Sequence, residues 1–432
     1  MIWDFLHILG MRLLVWSGVS LGLGTWLWLN PALFWKGVGT QAWLWGAIDA
    51  VIAGSILARS VRYLRRPLNL AEANREAIKT RQILKINAGL DLLYLVVGAV
   101  LMWRAEGNAL IVGHGAGIIL QGAFLLGFDL LHLLQVPNEY VLPDFHLFDS
   151  EIHQPFLWEG SGRGAALLVH GFPGSPAEVR DLAKALHNQG WSVQAVCLPG
   201  HGREIHRLFQ SRAIEWVEHV QRALTQLKES HFPVLLIGYS LGSGISTVVA
   251  SREPPDGLVL IAPFWIDEPP ALRIAVGIAR LFLPFRINPS LDRRMAFPEL
   301  KMAIDDLLPA LDLNSAEFQR ELQALRVPLI FIEQFRWLSQ WVRHSAPQIR
   351  SRILVIQAVE DPIVRRASTQ RLIKMLGTQV DYLEVPGGHD INRRSHPGHT
   401  QVRAAIVRFA ETISKISGAF ERIPARVDRG IP

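Results

Sequence analysis

A single cysteine, Cys197, among 432 residues rules out an intrachain disulfide and a multi-cysteine zinc site. Charge is scarce too: Asp, Glu, Lys and Arg make up 19% of the chain, against about a quarter in soluble domains. With apolar residues at 50%, this shortage points to a part that lies in lipid. Internal repeats and long low-complexity tracts are missing, which excludes a solenoid. The net charge of +6 would suit nucleic acid or anionic lipid. Fourteen tryptophans and long apolar stretches make the lipid bilayer the expected partner, with no role for nucleic acid. Cys197 lies in the apolar run 193–198 and reads as a buried strand residue.

Four apolar stretches come before residue 136, at roughly 13–29, 42–58, 86–103 and 109–135. A membrane span takes about 20 such residues. Trp26, Trp28, Trp35, Trp43, Trp45 and Trp103 fall near the ends of these stretches, as interfacial aromatics do. A signal peptide over residues 1–29 would need a small-residue cleavage site, and none is present. A soluble helical bundle is the other alternative. Against it, residues 86–135 hold only Asp91, Arg104, Glu106 and Asp129 as charged groups.

The loop between the second and third spans carries Arg59, Arg62, Arg65, Arg66, Arg75, Lys79, Arg81 and Lys85, which predicts a cytoplasmic position for it. Four spans then place both termini, and the large C-terminal domain, in the cytoplasm. Within the spans, Asp49, Asn87, Asp91, His114 and Asp129 are costly in lipid and need a partner or a purpose, such as helix–helix hydrogen bonds, a lipid-binding cleft or an ion path. The pairs Gly18/Gly22 and Gly113/Gly117 have the spacing that lets helices approach closely.

From about residue 150 short apolar runs alternate with amphipathic stretches. Strands are expected at 164–170, 192–198, 233–239, 257–262, 352–358 and 380–385, and helices at 176–189, 211–228, 241–251, 366–376 and 398–416. This alternation predicts an α/β fold with a mostly parallel sheet. The domains are read as 1–140, helical and transmembrane, and 141–432, α/β. Residues 265–350 interrupt the alternation with Phe264, Trp265, Phe282, Phe285, Phe331, Phe335, Trp337 and Trp341 in or beside a helical pattern, and read as a cap over a site.

Gly238-Tyr239-Ser240-Leu241-Gly242 follows an apolar strand and precedes a helix, the setting in which G-x-S-x-G exposes a nucleophilic serine on a tight turn. Such a serine needs a base, and the base an orienting acid, in the chain order Ser, acid, His. Asp361 and His389 follow the expected strands 352–358 and 380–385, where sites in open sheets gather. Glu360 is the alternative acid, and His396 and His399 the alternative bases. Two backbone N–H donors for an oxyanion are expected at Leu241 and at Phe172, within His170-Gly171-Phe172-Pro173-Gly174-Ser175-Pro176.

These segments, together with Leu198-Pro199-Gly200-His201-Gly202, Asp361-Pro362-Ile363-Val364 and Gly387-Gly388-His389, stand in the order seen in the α/β-hydrolase superfamily. Residues 150–432 resemble its branch of bacterial carboxylesterases and monoacylglycerol lipases, with a longer and more apolar cap. The resemblance implies an α/β-hydrolase fold with a helical cap and ester hydrolysis through an acyl-enzyme on Ser240. It requires no metal or organic cofactor, and it does not cover residues 1–140. Apolar or lipid-derived esters are the expected substrates, reached from the bilayer through a cap whose Arg273, Arg280 and Arg286 flank the apolar run 274–285. Amide, peptide or thioester cleavage would use the same three side chains. A haloalkane-type reaction is disfavoured by serine at the nucleophile position, and an inactive membrane sensor or scaffold by the complete set of three.

Overall fold

The computed structural model describes residues 2–64, 70–137, 148–266, 286–287 and 327–421. These divide into two compact units, the first holding the helices within Met1–Tyr140. Its four helices are α1 (Ile2–Trp28), α2 (Leu33–Leu64), α3 (Leu70–Trp103) and α4 (Ala109–Gln135). Each is long and apolar enough to cross a membrane.

The α4 limits match the apolar stretch, because Asn108 caps the helix by accepting the N–H groups of Leu110 (3.1 Å) and Ile111 (3.3 Å). The other three helices outrun their apolar windows. Trp43 and Trp45 therefore lie inside α2 instead of at its end, and the Trp45 ring packs edge-on against Tyr94. The described part of the basic stretch is likewise helical. Arg59 and Arg62 belong to α2, and Arg75, Lys79, Arg81 and Lys85 to α3, with Arg59 paired to Glu76 at 2.6 Å; Arg65 and Arg66 lie outside the described residues.

The two glycine pairs differ. A Cβ on Gly113 would lie 2.1 Å from the Phe34 carbonyl, and one on Gly117 2.7 Å from the Gln41 side chain, so this pair seats α4 on α2. Gly18 and Gly22 meet nothing within 4 Å, which corrects their expected packing role. Among the span polar groups, His114 Nδ1 is 3.0 Å from Gln41 Nε2, and Asp49, Asp91 and Asp129 are buried. Asn87 hydrogen-bonds Asp129. Helix–helix hydrogen bonding thus accounts for His114, Asn87 and Asp129.

Among the described residues, the main sheet of the second unit has seven strands: β1 (Phe156–Trp158), β2 (Ala165–Val169), β3 (Ser192–Val196), β4 (Val234–Tyr239), β5 (Gly257–Ile261), β6 (Arg352–Ala358) and β7 (Val380–Val385). Their order is β1-β3-β2-β4-β5-β6-β7, all parallel except β1 on β3. The short edge strand β1, three residues long, was not expected from the sequence.

Among the described residues, the α-helices of this unit are α5 (Arg180–His187), α6 (Ala213–Ser230), α7 (Leu241–Arg252), α8 (Leu329–Ser345), α9 (Arg366–Met375) and α10 (His399–Glu421). Alternate strand residues such as Leu168, Ile237, Val259 and Ile356 share one core with Leu186 of α5 and Ile406 and Phe409 of α10. The intervening Leu167, Leu236 and Leu260 are equally buried, which is why the strands read as unbroken apolar runs. Cys197 lies just past β3 and is only half-buried, a correction to its expected place in a strand. Most of the expected cap falls outside the described residues, including Phe282, Phe285, Arg273, Arg280 and the run 274–285; so does the side chain of Arg286.

Candidate active site

The strand order reverses around β2 and β4, and loops leaving the carboxyl ends of a parallel sheet open into a crevice at such a point. Phe172 follows β2, Ser240 follows β4, and Asp361 and His389 follow β6 and β7. Past those strand ends the ladder continues: Val359 N–H donates to the Val385 carbonyl (2.9 Å) and Glu360 N–H to that of Gly387 (3.0 Å). The loops bearing Asp361 and His389 are thereby tied to each other.

Ser240 has φ 49° and ψ −115°, in the left-handed half of φ space that costs a side-chain-bearing residue about 1–3 kcal/mol. Surrounding bonds hold it there. Ser240 N–H donates to Ile261 O (2.9 Å), Phe264 N–H donates to Ser240 O (3.2 Å), and the Ser243 hydroxyl lies 2.6 Å from Gly238 O. The flanking glycines are demanded by closeness. A Cβ on Gly238 would lie 2.4 Å from Gly242 O, and one on Gly242 2.3 Å from Val169 O. Both obstacles are backbone atoms, which cannot swing aside. Gly242→Ala is therefore expected to cost about 3 kcal/mol. That amounts to roughly 10 °C in melting temperature, measured by scanning fluorimetry in detergent; an unchanged melting temperature would refute the close packing.

His389 stands between the other two side chains. Its Nε2 is 2.9 Å from Ser240 Oγ and its Nδ1 is 2.8 Å from Asp361 Oδ2. The Asp361 carboxylate is fully buried, yet well satisfied: Oδ1 accepts the N–H groups of Ile363 (2.9 Å) and Val364 (2.8 Å), and Oδ2 also accepts Gln357 Nε2 (3.2 Å). Gln357 is itself held by Thr369, whose hydroxyl donates to its Oε1 (2.6 Å). The alternatives are placed elsewhere. Glu360 is exposed. His396 Nε2 lies 3.1 Å from the Gly388 carbonyl, and His399 Nε2 is 2.9 Å from Asp181.

Leu241 opens α7, so its N–H belongs to the first turn, where amides have no partner within the helix. The peptide that carries the Phe172 N–H is held by its carbonyl. Gly171 O accepts His170 Nδ1–H (2.8 Å), and Leu198 N–H donates to His170 Nε2 (3.0 Å), which fixes the tautomer. Burial keeps His170 neutral, its pKa lowered to about 3, so this arrangement persists at neutral pH. The Phe172 ring packs on Phe335 (5.0 Å) and Phe331 (5.8 Å) of α8, and Phe264 packs on Phe335 (5.7 Å). An apolar wall thus rises beside the serine.

Gln357, Ser243, Tyr239 and Glu178 were given no role on sequence grounds. Tyr239 OH lies 3.2 Å from Asp390 Oδ1 and 3.3 Å from the His389 carbonyl, bracing the histidine loop. Burial and nearby carboxylates push the Tyr239 phenol up, so it remains protonated. Its only sequence signal is its place inside the serine motif.

Residues 160–391 match the family described as serine aminopeptidase, S33, and residues 12–130 match a family of unknown function, DUF6992. A thermostable monoacylglycerol lipase of Bacillus sp. (strain H-257) is 32% identical over 101 residues, 23% of this chain and 40% of that protein. A carboxylesterase of Bacillus subtilis (strain 168) is 33% identical over 117 residues, 27% of this chain and 47% of that one. The chain thus spans less than half the length of either relative. Among solved structures, the monoacylglycerol lipase of Paleococcus ferrophilus aligns with 60% of this chain and 98% of its own, at 18% identity and a TM-score of 0.47.

Proposed function

The chain belongs to the serine aminopeptidase S33 family, and from that premise we propose that it is a membrane-anchored serine hydrolase that cleaves carboxylic esters of apolar or lipid-derived acyl groups. One observation carries the reading: a single imidazole within hydrogen-bond reach of both a buried carboxylate and the hydroxyl of a serine on a strained backbone. Ser240 Oγ attacks the acyl carbonyl as His389 Nε2 takes its proton. The amides of Leu241 and Phe172 receive the charge that develops on the carbonyl oxygen. His389 then protonates the departing alcohol, and water, activated by the same imidazole, releases the acyl group from Ser240. Asp361 holds the proton on Nδ1 throughout.

The aromatic wall of Phe172, Phe264, Phe331 and Phe335 supports an apolar substrate, as does the naming of the two bacillar relatives. Four apolar helices support the anchor, and the cationic stretch Arg59 to Lys85 favours a cytoplasmic hydrolase unit. The family description keeps amide cleavage as a second reading, because the same three side chains would serve it.

The full chain in detergent is expected to hydrolyse p-nitrophenyl octanoate or decanoate with kcat/KM at least about tenfold above the acetate, since each buried CH₂ contributes about 0.8 kcal/mol. Aminoacyl p-nitroanilides are expected to be poor substrates. A preference for acetate would count against the apolar substrate, and faster anilide cleavage would move the assignment to amides.

A further inference from the structure

Just past the oxyanion loop, one half-buried acid lies outside the chemistry described above. Gly171 N–H donates to Glu178 Oε2 at 2.7 Å. Gly171 is the residue whose carbonyl His170 holds, so the peptides on both sides of its Cα are clamped, one by His170 and the other by Glu178. The loop also closes around this carboxyl. A Cβ on Gly174 would fall 2.2 Å from Glu178 Cδ and Oε1, and one on Gly171 would fall 3.3 Å from Glu178 Oε2 and 3.2 Å from Ser240 Cβ. Glycine at both positions lets the backbone lie directly on the acid.

On its other side Glu178 shares a cavity of about 540 Å³ with Tyr239, Asp390, Asn392 and Arg393, next to the loop that carries His389. The acid therefore sits between the loop bearing the Phe172 amide and the segment that braces the base. Burial raises its pKa to about 7, with Asp390 adding to the rise and the Gly171 N–H, His389 and Arg393 opposing it.

We propose that Glu178 is a positioning residue for the reaction: by receiving the Gly171 N–H it sets the direction of the Phe172 amide toward the substrate oxygen. The proposal rests on the ester-hydrolase reading of Ser240 and adds the element that pre-sets one of its two oxyanion donors. Misdirecting a donor weakens a contact that is strongest in the transition state, so the loss appears in kcat, not in KM.

The test uses the full chain in detergent with p-nitrophenyl octanoate, with rates expressed per site reactive to a fluorophosphonate, so that unfolded protein does not count. Glu178→Ala is expected to lower kcat by about 30-fold, somewhat less than the 10²–10³ for removing a donor outright, with KM within about threefold. Glu178→Gln, which keeps an acceptor oxygen, is expected to stay within about threefold of the wild-type kcat. Gly174→Ala, which displaces the carboxyl without removing it, is expected to fall with Glu178→Ala. A wild-type kcat in Glu178→Ala, or a Gln variant as slow as the Ala variant, would overturn the inference alone. A wild type with no esterase activity would overturn the reading of Ser240, and this inference with it.

Discussion

Ser240→Ala is expected to lower kcat/KM for p-nitrophenyl octanoate by at least about 10⁴-fold while leaving the melting temperature within a few degrees. The size follows from the proposed role. Without Oγ no acyl-enzyme forms, and the remaining groups can only assist direct attack by water, which retains a small part of the acceleration. The small change in stability follows from the local structure. Ser240 is held by its backbone, through Ile261 O and the Phe264 N–H, and those bonds do not involve its hydroxyl. A residual rate within tenfold of wild type, in folded protein, would place the nucleophile elsewhere.

Asp361→Asn is expected to lower kcat by about 10³–10⁴-fold, with KM nearly unchanged. The hydrogen bonds around residue 361 determine how an asparagine must sit. The N–H groups of Ile363 and Val364 both point at Oδ1, so the amide oxygen takes that position. The amide nitrogen then occupies the place of Oδ2, facing His389 Nδ1 and the Gln357 donor. His389 can accept from it only with Nδ1 unprotonated, which moves the ring proton to Nε2 and aims it at Ser240 Oγ. A histidine in that tautomer cannot take the serine proton. Glu360→Gln is the matched control: Glu360 is exposed, and its rate is expected to stay within twofold. Equal losses in both variants would mean that the acid has been misassigned.

Much of this site could be read from the sequence, because chemistry and chain geometry coincide there. Residues 234–239 form a strand almost as expected, since Leu235, Leu236 and Ile237 are buried on both faces and β-strands of that kind leave an unbroken apolar run. A serine between two glycines, directly after such a strand, has few other structural explanations. The positions of Asp361 and His389 could be read for the same reason, each lying a few residues beyond a strand end.

What was missed has a physical cause as well. Glu178 lies in Ser175-Pro176-Ala177-Glu178, a Ser-x-x-Glu spacing that ordinarily means a helix cap. Its carboxyl turns instead to Gly171, a bond set by tertiary packing. Gln357 sits in the middle of a strand, where polarity alone does not reveal a carboxylate beyond the strand end. The lengths of α2 and α3 escaped because hydropathy reports where lipid would be, whereas helical hydrogen bonding runs on through charged residues such as Arg59 and Arg75. Strand β1 is three residues long, too short to show a period.

The most direct test is to find where an activated phosphonate attaches. The full-length protein is treated with a fluorophosphonate, digested, and its peptides mapped by mass spectrometry. The expected result is one adduct, on Ser240, formed at least about 10³-fold more slowly in His389→Ala and not at all in Ser240→Ala. An adduct on another residue, or labelling that proceeds unchanged when either side chain is removed, would contradict the account.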